Sequence, residues 1–226
     1  MIENTVVKHT IQKNILSVLL HQKNARFRDM RPPRTDTNLY SYHLAQLVKG
    51  GLVQKTDNGY TLGPAGLIYA DGLNADKLFV RRQPKIVTML VIQNSDGDTL
   101  LQRRRKQPYI DMWTLPNGKV HIDDTSLYAA AQRGAGEKLK LTDQEMTHAG
   151  DCYVRVRHED NQMTVTLVHV FTFNRDDIET NDDIVWVQPH KLHKMNLAPG
   201  ISEIIARTFF RDPFFFEDYD ITIETL

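Results

Sequence analysis

The sequence predicts an α+β protein in two parts: a small N-terminal helical domain carrying a two-stranded hairpin, then a C-terminal α/β/α sandwich on a mixed sheet. Three observations lead there. The first eighty residues combine helical apolar periods with an Asn58-Gly59 turn between two short β-prone runs. After residue 85, strand-like and helix-like segments mix in an order that suits a sheet covered by helices. Charge also divides: residues 1–85 hold 13 Lys and Arg against 6 Asp and Glu, and the remainder holds 15 against 22. A basic part joined to an acidic one points to a polyanionic partner for the basic part.

The bulk composition bounds the rest. The chain has 226 residues, enough for two domains, and 41% hydrophobic with 25% charged residues is ordinary for a globular protein. No apolar run approaches the ~18–20 residues of a membrane span, so no membrane partner is expected. Lys8, His9 and Lys13 interrupt any secretory leader. Cys152 is the single cysteine, which excludes an internal disulfide and suits a cytoplasmic location. The alternating run around it makes it a small core residue rather than a nucleophile.

Taken in order, His9 to Gln22 has apolar residues at helical spacing (Ile11, Ile15, Leu16, Val18, Leu19, Leu20) and forms the first helix. Arg31-Pro32-Pro33-Arg34 cannot continue a helix, because proline lacks the donor and clashes with the preceding turn. A second helix starts at Asp36 or Thr37, runs through Leu39, Leu44, Leu47 and Val48, and stops at Gly50-Gly51. The hairpin follows, and Gly63-Pro64-Ala65-Gly66 opens a helix with Leu67, Ile68, Ala70 and Leu73 on its apolar side. Ile86 to Ile92 reads as a strand buried on both faces. A turn at Asn94–Asp98 leads to a strand near Thr99–Arg103, and a helix is expected over about Thr125–Leu139. Strands are expected at roughly 151–157, 164–173 and 184–187, and a last helix over 199–210.

Helix, short helix, helix, two-stranded wing, helix: this order resembles the winged helix-turn-helix family over roughly residues 5–80. The segment Tyr40 to Val53 resembles the recognition helix and first wing strand of bacterial regulators. The resemblance implies double-stranded DNA as partner, because such a helix fits the major groove. Asn38, Tyr40, Ser41 and His43 are the candidate base readers, and Arg31, Arg34 and Lys55 the candidate phosphate contacts. Domain limits follow: 1–80 for the DNA-binding domain, 81–85 for a polar linker, and 86–226 for the second domain with an aromatic and acidic tail.

In the second domain, Leu100–Arg104 and then Trp113-Thr114-Leu115-Pro116-Asn117-Gly118-Lys119-Val120 resemble the opening of a Nudix domain, and Val185-Trp186-Val187 its closing part. The resemblance implies a loop–helix–loop box that holds a divalent metal against a nucleoside diphosphate linkage. Its pattern is Gly, five residues, Glu, seven residues, then Arg-Glu-apolar-any-Glu-Glu-any-Gly. Set on Gly118, the first Glu falls on Asp124, the Arg on Gln132, the next Glu on Arg133, the apolar position on Gly134, and the last two Glu on Gly136 and Glu137. The terminal Gly position holds Leu139. Of the three helix Glu that would ligate metal, only Glu137 remains. A cation and a bare backbone position are a poor cage for a hard ion.

The expected function is therefore a DNA-binding transcriptional regulator whose Nudix-like domain senses a nucleotide or nucleotide sugar. The resemblance suggests ADP-ribose as one such ligand. Arg103, Arg104, Trp113, Gly118 and Arg133 are the candidate ligand contacts, no cofactor is expected, and a homodimer would match a palindromic operator. The rival is an atypical Nudix hydrolase using Mg²⁺ or Mn²⁺, with Glu137 and Asp124 catalytic and Asp123, Asp143 and Glu145 as further acids. A scaffold with neither activity is a third reading. The nine histidines show no metal-ligand spacing and read as structural. The aromatic cluster Phe209–Tyr219 reads as packing onto the domain, with a dimer interface as the alternative.

Overall fold

The computed structural model describes residue 7, residues 9–71, 73–74, 79–80, 83–210 and 214–224. Arg81 and Arg82 of the expected linker, and the side chain of Leu73, lie outside the described residues. The chain divides into two compact units, Met1–Gln83 and Pro84–Leu226.

In the first unit, α1 (Thr10–His21) buries Ile11, Ile15, Leu16 and Leu19, and the His9 imidazole accepts the Ile11 N–H at its start. In α2 (Thr37–Lys49) the Asp36 carboxylate accepts from the N–H groups of Asn38 and Leu39, satisfying two donors of the first turn. The wing is β1 (Val53–Thr56) antiparallel to β2 (Gly59–Leu62), and Ala25 exchanges two backbone hydrogen bonds with Tyr60 of β2. α3 (Pro64–Asp71) follows, then a pair of two-residue strands, β3 (Leu73–Asn74) and β4 (Phe79–Val80). This is a winged-helix-like arrangement. The expected short helix between α1 and α2 is replaced by turns, closed by Asp29 N–H to Arg26 and Thr35 N–H to Pro32. The two prolines leave no run long enough for a helix. α3 also departs from expectation: Leu67 and Ile68 are exposed, and Gly66 is its buried residue. That helix approaches through bare backbone, since a Cβ on Gly66 would sit 2.0 Å from the Leu52 carbonyl oxygen.

The second unit is an eight-stranded mixed sheet. Its strands are β5 (Lys85–Gln93), β6 (Thr99–Arg103), β7 (Trp113–Thr114), β8 (Asn117–Lys119), β9 (Thr147–His158), β10 (Asn161–Asn174), β11 (Ile184–Val187) and β12 (Phe215–Ile223). The order is β11-β6-β5-β10-β9-β12, with β7 beside β6 and β8 beside β5. β10 runs parallel to β5 and β12 parallel to β9; the other pairs are antiparallel. β5 is buried on both faces because a helix covers each. Val87 and Val91 pack with Ile201, Ile204 and Ile205 of α5 (Ile201–Thr208), whereas Leu90 and Ile92 pack with Ala131 and Ala135 of α4 (Leu127–Leu139). The result is the α/β/α sandwich that the alternation demands. Among the described residues no helix is long and apolar enough to cross a membrane.

The C-terminal tail is the main difference from the sequence reading. It is an edge strand: Phe215 is buried, Phe216 points outward, and Asp218 and Asp220 meet Arg155 and Arg157 of β9 at 3.0–3.1 Å. Phe215 sits so close to Gly150 that a Cβ there would lie 2.5 Å from its ring.

Candidate functional site: a cationic cleft and the box helix

A cavity of about 590 Å³ opens on the α5 face of the sheet. Its apolar part comes from Met89, Val154, Val156 and Val168 of the strands and Ile201 and Ile204 of α5. Among the described residues, its polar rim holds Lys85, Arg103, Arg104, Arg105, Lys106, Lys119, Arg133 and Lys138, against Glu137 as the one lining carboxylate. Such a rim favours an anion. Two of the arginines already have partners: Arg103 pairs with Asp111 at 3.1 Å, and Arg105 with Asp183. Arg104 meets no carboxylate among the described residues. It donates to the Pro108 carbonyl at 2.9 Å, and its guanidinium lies 5.9 Å from the centre of the Tyr109 ring. Partial burial lowers the Arg104 pKa from the usual arginine range, so a half-buried charge there gains from an anionic ligand.

Beneath the rim, α4 begins at Ser126, whose hydroxyl accepts the Ala129 N–H. It crosses β8 closely, with Gly134 facing Gly118. This crossing sets Arg133 between Asp124 of the loop and Glu137 of the helix. The guanidinium donates from Nε and Nη2 to the two oxygens of Asp124 at 2.9 and 2.8 Å, from Nη2 to the Lys119 carbonyl at 2.8 Å, and from Nη1 to Glu137 at 3.2 Å. Asp124 also accepts the His121 N–H at 2.7 Å. The Arg133 hydrogen bonds hold the Asp124 carboxyl far below the usual carboxylate range, and Asp124 raises the arginine in turn.

The family description "NUDIX domain" matches residues 88–207, more than half of the chain. The chain belongs to the Nudix family. The mutator MutT protein from Bacillus halodurans shares the fold at 17% identity and a TM-score of 0.50, over 61% of this chain and 90% of that one. The NUDIX domain of Shewanella oneidensis NrtR, solved with ADP ribose, is 18% identical with a TM-score of 0.48, over 64% of this chain and 97% of that one. NrtR solved with a 27mer DNA is 17% identical with a TM-score of 0.42, over 54% and 59%. At these identities the likeness concerns the fold. No curated protein sequence matches the chain significantly.

Active Nudix enzymes use a divalent metal, and the box can be tested for it. Holding magnesium takes several hard oxygens around an open volume. Here the oxygens of Asp124, Glu137 and Lys119 close on a guanidinium instead, and position 136 offers no side chain. The donor set of this Nudix box is already matched to a cation of its own, and it does not fit a magnesium-type ion.

Of the ligand contacts expected from sequence, Arg103, Arg104, Gly118 and Arg133 all line the Nudix cleft. Trp113 does not. Its backbone is tied to Asn196 and Ala198, its ring packs on the core, and the neighbouring Thr114 takes the cleft-facing position of the strand. Asp123, Asp143 and Glu145 are likewise absent from the lining. Tyr109, Lys119 and Lys138 line the cleft without having been singled out; only Tyr109, next to the arginine run, carried a local signal.

The first unit corrects two of the expected base readers. Tyr40 is fully buried, its hydroxyl donates to the Phe27 carbonyl at 3.0 Å, and burial pushes its pKa up to about 12. His43 is buried and stacks on the His9 ring at 3.8 Å, and burial, followed by His9, lowers its pKa. Neither can reach a groove. Both lie on the stripe Tyr40, His43, Leu44, Leu47 that faces the core. The outward stripe is Asn38, Tyr42, Gln46 and Lys49, which the helical phase of the leucines could have revealed. Ser41 and Lys55 flank a groove between α2 and the wing, Arg34 is exposed, and Arg31 donates to the Thr37 hydroxyl at 2.7 Å.

Proposed function

We propose that this Nudix chain is a DNA-binding transcriptional regulator whose Nudix domain senses an anionic, nucleotide-like small molecule and does not hydrolyse it. The observation that carries the reading is Arg133, placed where hydrolysis would require a metal ion. A cleft rimmed by cations and floored by apolar side chains suits a ligand that combines phosphate with an uncharged body. The basic winged-helix-like unit supplies the second half: Asn38, Ser41, Tyr42 and Gln46 meet base edges, while Arg31, Arg34, Lys49 and Lys55 hold phosphates. The chain works as a cytoplasmic homodimer on a two-fold operator. Regulation requires the ligand to favour one arrangement of the dimer, and thereby one DNA affinity.

One experiment separates this reading from the hydrolase. The protein is incubated with ADP-ribose and related dinucleotides, with Mg²⁺ or Mn²⁺ and with EDTA, while turnover and thermal shift are recorded together. A metal-independent rise in melting temperature without product is expected. Turnover that needs the metal and disappears in Glu137→Gln overturns the proposal.

A further inference from the structure

Three side chains on the opposite face of the sheet from the cleft converge without any role in the proposal above. The His148 Nε2 lies 2.8 Å from Asp151 Oδ1, and the His169 Nδ1 lies 2.7 Å from the same oxygen. Their ligand-capable atoms all fall within 4.8 Å of one another. His169 and Asp151 are direct cross-strand partners on β10 and β9. His148 joins them only because of a β-bulge. In a regular strand, residues three apart face opposite sides. Between Val170 and Phe171 the register shifts, Gly150 opposing Val170 while His148 opposes Phe171, so Ala149 is the extra residue. That bulge turns His148 onto the Asp151 side. Bulges re-aim side chains in this way beside functional sites.

We infer that His148, Asp151 and His169 form a binding site for a divalent transition-metal ion of the zinc class, distinct from the box on α4. Two imidazoles and one carboxylate are the donors such an ion takes, with a further position left to water. The rings are held in place: His148 stacks on Phe171 at 4.7 Å and meets the edge of Phe214 at 5.2 Å, and His169 is buried to 10% side-chain exposure. Proton bookkeeping is neutral. Binding uses the lone pairs of His148 Nε2 and His169 Nδ1: the hydrogens that these nitrogens donate to Asp151 are replaced by the ion, and each ring switches tautomer to carry its proton on the other nitrogen, which makes no hydrogen bond among the described residues. Ligand atoms around zinc stand roughly 3.3 Å apart, so the present contacts need open by only about 0.5 Å. Asp151 and His148 remain partly exposed, which leaves an entry path. The bound ion pins β9 to β10 at the bulge.

The test uses the full chain, stripped with EDTA and dialysed, then titrated with Zn²⁺ against a chromophoric chelator and with Co²⁺ by visible absorption. One high-affinity ion per chain is expected, with a tetrahedral or five-coordinate Co²⁺ spectrum that Mg²⁺ does not displace. His148→Gln and Asp151→Asn each weaken zinc binding by more than about tenfold, whereas His190→Gln and Glu137→Gln leave it unchanged. Far-UV circular dichroism checks folding; His148 is partly exposed, so its variant keeps the test decisive if Asp151→Asn does not fold. Absence of stoichiometric binding, or equal affinity in the folded variants, overturns the site. Loss in Glu137→Gln alone would place the ion at the box and also overturn it, whatever the outcome for DNA or nucleotide binding.

Discussion

The two units carry opposite charge, yet their local surfaces invert the pattern. The first is basic overall, but the outward stripe of α2 holds Lys49 as its single cation beside Asn38, Tyr42 and Gln46. Among the described residues, the other positive charges of that unit are Lys13 on α1, Lys23, Arg26, Arg28, Arg31 and Arg34 between α1 and α2, and Lys55 on the wing. The second unit is acidic overall, but its cleft sets eight Lys and Arg against Glu137. Its acids lie elsewhere, for example on β12, where Asp218 and Asp220 neutralise Arg155 and Arg157. Net charge governs attraction at a distance of about a Debye length, ~10 Å at 0.1 M salt. What binds on contact is decided by the few groups that line the surface. A long polyanion suits the first unit and a compact anion the second.

The largest effect that would sharpen this contrast is the salt response. With about six phosphates neutralised, duplex affinity falls roughly a thousandfold between ~50 and ~200 mM salt. Binding of ADP-ribose in the cleft falls far less. Fluorescence anisotropy for the first and calorimetry for the second measure both, and a reversed ranking would break the comparison. Next comes Tyr40. Tyr40→Ala removes a fully buried ring and costs the first unit about 3–5 kcal/mol in urea unfolding, whereas Tyr42→Ala changes stability by about 0.5 kcal/mol or less while weakening duplex binding. Third, Arg104→Ala weakens nucleotide binding about 10–100-fold by loss of a charged hydrogen bond. Arg103→Ala has the smaller effect, because Asp111 already shares that guanidinium.

The smallest effect is a pH dependence. Arg133 holds the Asp124 pKa down in the folded chain. The resulting stabilisation is complete above the unfolded aspartate value of about 3.9, and it is lost as pH falls through the lower folded value. The stability difference between the native chain and Asp124→Asn should therefore stay flat from about pH 7 to 5 and shrink only below about pH 4. Urea unfolding at a series of pH values reads it directly; a difference that shrinks already near neutrality would mean the pair is not formed.

Local signals carried much of the fold. Asp36 caps α2, Gly50 ends it, and Asn58-Gly59 turns the wing, because each acts within a few residues of itself. The double-sided burial of β5 followed from its near-continuous apolar run, Ile86 to Ile92. What escaped was non-local. β12 pairs with β9 across a long stretch of sequence, Phe215 opposite Gly150, and its alternation of Phe215, Glu217, Tyr219 against Phe216, Asp218, Asp220 looks like an acidic tail until a partner strand is known. The His148 cluster escaped for a similar reason, since a bulge made by pairing brings residues of opposite phase together. At the cleft, the arginine run and the altered box were visible as residue types. Which arginine lacks an acid, and that Trp113 turns inward, depended on packing.

The grip of Arg133 also constrains how this chain could change over generations. Restoring a metal-binding box takes at least two substitutions, one removing the guanidinium and another adding a carboxylate at position 136. After the first step alone, Asp124 and Glu137 would face each other with their shared counter-charge gone. Either change alone therefore leaves the box without a metal-binding donor set: the first gives two carboxylates with no third carboxylate, the second a third carboxylate still matched by the guanidinium.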